Sequence, residues 1–202
     1  AIPFILSGGN PYASIIMEII LWAIGGFFLM KLVSRWGTWL IIPVGSVWIA
    51  SDYITLATRY AFNPNPVVLL TPLFIYLVFK YLESGKMVFS ILTFLLAGLF
   101  FNFEMNAGIF LPVVIISSII LSGKSKLFKS KSFWIGVAVF LLTLLPQIIF
   151  DLKHNFIMSK SIVNFLFAGN HQTLNIFTKL QLVFFCFYQV FLPILMHKQV
   201  LV

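Results

Sequence analysis

Residues 87–121 read MVFSILTFLLAGLFFNFEMNAGIFLPVVIISSIIL, an apolar run whose one charged side chain is Glu104. A single helix of that length, rising 1.5 Å per residue, would measure roughly 50 Å, while a hydrocarbon core is about 30 Å thick. One span therefore does not fit the run. It reads as two short spans meeting at Asn102-Phe103-Glu104-Met105-Asn106.

The basic residues test that reading. With a break at Glu104, one side of the membrane holds nine cations: Lys31, Arg35, Lys80, Lys86, Lys124, Lys126, Lys129, Lys131 and Lys198. The other side holds four, Arg59, Lys153, Lys160 and Lys179. Without the break, the dense cluster from Lys124 to Lys131 would lie opposite Lys80 and Lys86. Short cytoplasmic loops carry the excess of Lys and Arg, so the two-arm reading is the consistent one.

Working outward, further stretches are long and apolar enough to cross a bilayer, which takes about 20 residues. They are Ala13 to Leu32, Thr38 to Ala57, Pro66 to Leu82, Phe133 to Phe150 and roughly Leu174 to Met196. With the two arms this makes about seven spans, with Ala1 on the outer side. The fold expected is all-α, a polytopic transmembrane helix bundle forming one transmembrane domain over residues 1–202.

Composition agrees. Of the 202 residues, 61% are hydrophobic and 9% charged, with a mean hydropathy of +1.07. Soluble domains carry about 25% charged residues, so there is too little charge here to coat a globule. The formal net charge of +8 would suit a nucleic-acid partner. Its placement between apolar runs, rather than along one exposed face, excludes nucleic acid and favours membrane lipids. Cys186 is the only cysteine, so neither a disulfide framework nor a thiolate metal site is expected. The chain opens at Ala1 with no signal-peptide pattern, and reads as a fragment whose start is missing.

With that orientation the rarer polar residues gather outside or near the outer boundary: Glu18, Asp52, Arg59, Asn63, Asn65, Glu104, Asp151, Lys153 and His154. A charge deep in a span is costly and is a functional candidate by default. Asp52 and Arg59 are about two helical turns apart and share a face if the helix continues. They are either an ion pair or solvated ends, or Arg59 presents its planar donor fork to a lipid phosphate. Glu104 tips a hairpin whose arms are too short to cross fully. It is either a solvated turn residue or a carboxylate below the bilayer surface, where surrounding protein or a water-filled cavity makes it tolerable. Asp151-Leu152-Lys153-His154-Asn155-Phe156 puts two potential cations beside a carboxylate. It is either an ordinary exit loop or a phosphate and acceptor site. His171 and His197 have no partner at metal-ligand spacing, and no phosphate-cradling glycine loop is present.

The order of the motifs resembles a known family. Thr58-Arg59-Tyr60-Ala61-Phe62-Asn63-Pro64-Asn65-Pro66 opens a span. Ala97-Gly98-Leu99 then runs into Phe101-Asn102-Phe103-Glu104 and Phe110-Leu111-Pro112. Leu144-Leu145-Pro146-Gln147 leads into Phe150-Asp151-Leu152-Lys153-His154-Asn155-Phe156. The series resembles the bacterial branch of the dolichyl-phosphate-mannose–protein mannosyltransferase-like superfamily. These are membrane glycosyltransferases of GT-C architecture, among them the lipid A aminoarabinose transferase.

The resemblance implies transfer of a sugar from a polyprenyl-phosphate carrier to a lipid, glycan or protein acceptor. The site would lie on the extracytoplasmic side of the plasma (inner) membrane, with no cofactor beyond the donor substrate and no metal assigned. It also implies a carboxylate to take the acceptor's proton and cations to hold the leaving phosphate. The family's key acids lie in a first external loop that would precede Ala1, so the fragment alone is expected to be inactive. By position, Arg59 and Lys153 are implied to bind the lipid phosphate. Asp52, Asn63, Asp151 and His154 are implied to line the sugar or acceptor pocket, and Glu104 to contribute to catalysis.

Two other readings stay open on sequence grounds. A transporter or lipid flippase would place ionisable residues and broken helices at the midplane, often in paired repeats. A noncatalytic membrane scaffold would need only the spans and basic loops.

Overall fold

The computed structural model describes residues 5, 7–10, 12–60, 62, 64–167 and 181. Among them every regular element is helical. In chain order these are α1 (Tyr12–Val33), α2 (Ile41–Ala50), α3 (Asp52–Arg59), α4 (Asn65–Ser84), α5 (Met87–Phe103), α6 (Met105–Gly108), α7 (Leu111–Leu121), α8 (Lys131–Lys153) and α9 (Ile157–Phe167). Short 3-10 turns, Thr38–Leu40 and Ser125–Lys129, lead into α2 and α8. The chain divides into two compact units, residues 1–146 and 147–202.

Among the described residues three helices are long and apolar enough to cross a membrane: α1, α4 and α8. The pair α2 and α3, with the turn before it, makes a fourth if taken as one broken span. The expected span from Leu174 to Met196 lies outside the described residues. Many large apolar side chains face outward, Leu121 at 87% exposure and Ile42 at 78% among them. That is the surface expected of helices bathed in hydrocarbon rather than water.

The stretch Thr38 to Ala57, expected as one span, falls in a helix pair bent by 51°. The cause is local. Ser51 is extended (φ −68°, ψ 115°), and its hydroxyl accepts from the Ile54 amide at 3.4 Å, so it acts as the N-cap of a new helix. Asp52 in the first turn of α3 suits the positive end of the helix dipole.

The run 87–121 breaks at Glu104, where the backbone leaves the helical region (φ −146°, ψ 98°) between α5 and α6. Its two arms, α5 and α7, are about 25 Å and 17 Å long by helical rise, both shorter than a hydrocarbon core. Pro112 in the first turn of α7 sets the second arm's start, since a proline there forfeits no helical hydrogen bond.

Helix α4 is the centre of the first unit, packed against α1 and α5. Leu70, Phe74, Leu77 and Tyr81, spaced to fall on one face, meet Phe94, Ala97 and Phe100 of α5 and Ile115 and Ile119 of α7. Phe133 of α8 closes the cluster edge-on to Phe94, with ring centres 5.6 Å apart. Between α5 and α8 the contact is close and hydrogen-bonded. Ser90 Oγ donates to Ser132 O at 2.7 Å, and Asn102 Nδ2 donates to Thr143 O at 3.0 Å. Gly98 sits so near Thr143 that any Cβ there would collide with its side chain. Small and hydroxylated residues are what helix association in lipid uses, because apolar burial alone gives no drive there.

Helices α1 and α4 run the same way. Gly25 abuts the Leu69 carbonyl. Phe28 packs on Tyr76 with ring centres 4.9 Å apart, and just past α1 Arg35 pairs with Glu83 at 2.7 Å. Glu83 also takes Lys80 at 3.3 Å.

Candidate functional site

In the first unit, the turn from α3 into α4 carries the first group. Asp52 and Arg59 are both exposed, at opposite ends of α3. No ion pair joins them among the described residues, because seven residues of helix separate them by about 10 Å along the axis. The side chain that organises this corner is Asn65, which is 6% exposed. Its Nδ2 donates to Ala57 O at 2.9 Å and to Tyr60 O at 2.7 Å. It thereby satisfies carbonyls that the end of α3 leaves without helical partners. Arg59 lies exposed at this corner. Asn63, expected in the pocket, lies outside the described residues.

Glu104 forms the second group. It is half-buried at the break between α5 and α6. Its amide donates to Phe100 O at 2.8 Å and its carbonyl accepts from the Gly108 amide at 2.9 Å, so the non-helical residue is tied to both arms. Asn102, two residues before the break, anchors this end of α5 to α8 through Thr143.

The third group belongs to the second unit, in the tight turn from α8 to α9. Asp151 is 8% exposed, and its carboxylate accepts from the amides of Met158 at 2.7 Å and Ser159 at 3.2 Å and from Ser159 Oγ at 2.5 Å. These are orphan donors of the first turn of α9, so Asp151 caps that helix. Its backbone carbonyl takes the Phe156 amide at 2.8 Å. Asn155 and Phe156 are both left-handed (φ 56° and 59°), a conformation rare for a residue such as Phe. His154 stacks on Phe150 with ring centres 4.0 Å apart, and its Nδ1 lies 2.7 Å from Phe150 O. Lys153 and Lys160 are exposed.

Of the residues singled out in the sequence, Asp151, Lys153 and His154 thus share one turn, Asp52 and Arg59 share one short helix, and Glu104 stands at its own break. The Asp151 oxygens are engaged by the helix it caps. Among the described residues no three His, Cys, Asp or Glu side chains group closely enough to hold a metal ion. Cys186, His171 and His197 lie outside the described residues.

The structure adds Trp22 and Trp48, which sequence reasoning passed over, and gives a setting to Glu18, which the sequence showed without a role. Glu18 is 1% exposed in α1, and among the described residues its Oε2 has no hydrogen-bond partner. Nor, among those residues, do the buried indole nitrogens of Trp22 and Trp48. A buried polar atom left unpaired costs on the order of 1–3 kcal/mol. Trp22 and Trp48 line a cleft of about 370 Å³ between α1 and α2. The signal available in the sequence was one acid inside an apolar run with an indole four residues on. No family model, curated protein or solved structure matches the chain.

Proposed function

We propose that this chain belongs to a membrane glycosyltransferase that moves a sugar from a polyprenyl-phosphate carrier to a lipid, glycan or protein acceptor at the outer membrane boundary. The observation that carries the reading is the broken hairpin. A half-buried carboxylate, Glu104, stands at a non-helical residue between two arms too short for ordinary spans. Irregular backbone at that depth is tolerated where protein or a water-filled cavity encloses it. The motif series that resembles the mannosyltransferase-like superfamily places a polar residue at the same point.

In this reading the bundle has seven spans in a GT-C arrangement: α1, the bent pair α2 and α3, α4, the arms α5 and α7, α8, and Leu174 to Met196. The nine-to-four distribution of cations supports placing the Glu104 break outside. Arg59, on the corner that Asn65 organises in the first unit, is assigned to the lipid phosphate as the leaving group, and Lys153, on the capped turn of the second unit, is assigned by itself to a phosphate oxygen. In the first unit Glu104 and Asp52 are assigned to the sugar or acceptor, and in the second unit, taken by itself, His154 is. Asp151 holds the turn that carries Lys153 and His154.

The test is transfer from a radiolabelled polyprenyl-phosphate sugar by the full-length protein in membranes. A charge-assisted hydrogen bond is worth about 1.5–3 kcal/mol, so Arg59→Ala or Lys153→Ala should each lower kcat/KM by roughly 10- to 100-fold. Transfer at the unmutated rate in both variants would remove their phosphate role. Absence of transfer from every such donor, with lipid exchange between leaflets instead, would favour a flippase.

A further inference from the structure

The cleft between α1 and α2 has Trp22, Phe27 and Met30 on one wall and Ile41, Gly45 and Ile49 on the other. Trp22 to Met30 and Ile41 to Ile49 are equal lengths of helix, so each wall runs for about 12 Å. One leaflet of hydrocarbon is half of a core about 30 Å thick, or about 15 Å. The groove is thus nearly as deep as one leaflet. Its volume of about 370 Å³ lies in the range of small-molecule sites. The one hydroxyl on the lining, Ser46 Oγ, donates to Ile42 O at 2.9 Å, and the indole nitrogens of Trp22 and Trp48 are buried. The walls therefore offer a ligand hydrocarbon and little else. Ile42 at 78% exposure and Ile49 at 64% stand on the rim, which opens the groove sideways on an apolar face.

At the Met30 and Ile41 end the apolar walls stop. Lys31 and Arg35 follow Met30, and exposed Trp36 and Trp39 lie in the connection to α2. Indoles beside cations mark a membrane–water boundary. The Lys31 Nζ lies 4.8 Å from the ring centre of Phe27, itself a lining residue, and 5.9 Å from that of Tyr76. Two ring faces steady the ammonium beside the groove without neutralising it. Among the described residues Glu83 is the acid at this end, and Arg35 and Lys80 engage it. Lys31 has no carboxylate partner among those residues. A second copy of the chain in the same orientation would set this basic end against its duplicate, so charge disfavours that occupant. A hydrocarbon chain carrying an anion satisfies both the walls and the cation.

We propose that the groove between α1 and α2 holds an acyl chain of an anionic phospholipid, from the leaflet at the Lys31 end of α1, with the lipid phosphate on Lys31. The site does not depend on the sugar-transfer reading.

The experiment uses the full chain in phosphatidylcholine nanodiscs, with Trp36, Trp39 and Trp134 replaced by Phe so that Trp22 and Trp48 report on the groove. Phosphatidylglycerol brominated on its acyl chain is titrated in, against phosphatidylcholine brominated in the same way, and quenching of the two indoles is followed. The anionic lipid should quench saturably, with an apparent affinity about fivefold above that of the zwitterionic one. Lys31→Gln should remove that preference, while Lys126→Gln, which makes the same charge change on the basic loop, should keep it. A Cβ at Gly45 meets Met30 only at ordinary contact distance, so Gly45→Leu should fill the groove and abolish the saturable component for both lipids. Equal quenching by the two lipids before Lys31 is changed would overturn the proposal without reliance on any variant's folding. A preference that Lys126→Gln weakens as much as Lys31→Gln would do the same, since a basic surface alone gives it. Indoles that neither lipid quenches, with disulfide-linked dimers formed by Ser46→Cys in a Cys186→Ser background, would assign the face to a second copy instead.

Discussion

At the scale of single residues, Asp151 shows what a local motif conceals. Within Asp151-Leu152-Lys153-His154 a carboxylate beside two cations invites a binding role. The geometry directs its oxygens to Met158 and Ser159, seven and eight residues ahead. Sequence reading could not show this, because the chain must first turn back through left-handed Asn155 and Phe156 before those amides come within reach. Asp151→Ala should strand several donors, at about 1–3 kcal/mol for the group. Amide hydrogen exchange at residues 157–161 should then accelerate by roughly 5- to 100-fold if that cost falls on local opening. Asp151→Asn, which retains one acceptor oxygen, should recover part of the protection. Unchanged exchange in the alanine variant would mean that the cap does not hold the turn. Glu18 is the opposite case: it was visible in the sequence as an oddity, but only packing shows that nothing among the described residues pairs with its Oε2.

At the scale of elements, the boundaries of α1, α4 and α8 were legible because each is a long apolar run with polar residues near its ends. The break in 87–121 was legible too, since a helix of that length has no place in a bilayer. The bend at Ser51 was not. Hydropathy averages over a window and is blind to one serine whose hydroxyl starts a new helix. How helices approach each other was equally hidden, because it depends on which glycine meets which backbone. Gly25 is the sharpest instance, as a Cβ there would strike the Leu69 carbonyl oxygen and not a side chain that could rotate away. Gly25→Ala must therefore push α1 off α4, and overpacking of this kind costs typically about 1–3 kcal/mol. Thermal unfolding in detergent should show a lowered midpoint. Gly123→Ala, at a site with open space but positive φ, should cost less, and equal midpoints for Gly25→Ala and the unmutated protein would show that the two helices are not held in contact.

At the scale of the whole molecule, charge and aromatic placement in the first unit argue for one orientation. Arg35, Lys80 and Glu83 join the ends of α1 and α4, and Lys124 Nζ donates to Leu82 O at 2.5 Å, drawing the basic loop to the same end. Trp36, Trp39 and Trp134, the last just inside α8, are all exposed. Indoles beside lysines are the usual furnishing of a membrane–water boundary. This arrangement yields a prediction about how the 87–121 run meets the bilayer. With Cys186 replaced by Ser, single cysteines at Ser84, Asn106 and Ser125 can be probed with a membrane-impermeant maleimide in right-side-out and inverted vesicles. Two arms that turn back at Glu104 require Ser84 and Ser125 to label from the same, cytoplasmic side. Labelling of Asn106 from the opposite side would establish two crossings, whereas an Asn106 reached from neither side, or only from the cytoplasmic one, would make the hairpin re-entrant and lower the span count by two. Ser84 and Ser125 labelling from opposite sides would sink the hairpin altogether, because the run would then cross once, and the basic cluster from Lys124 to Lys131 would lie on the wrong face for the charge rule that oriented the chain.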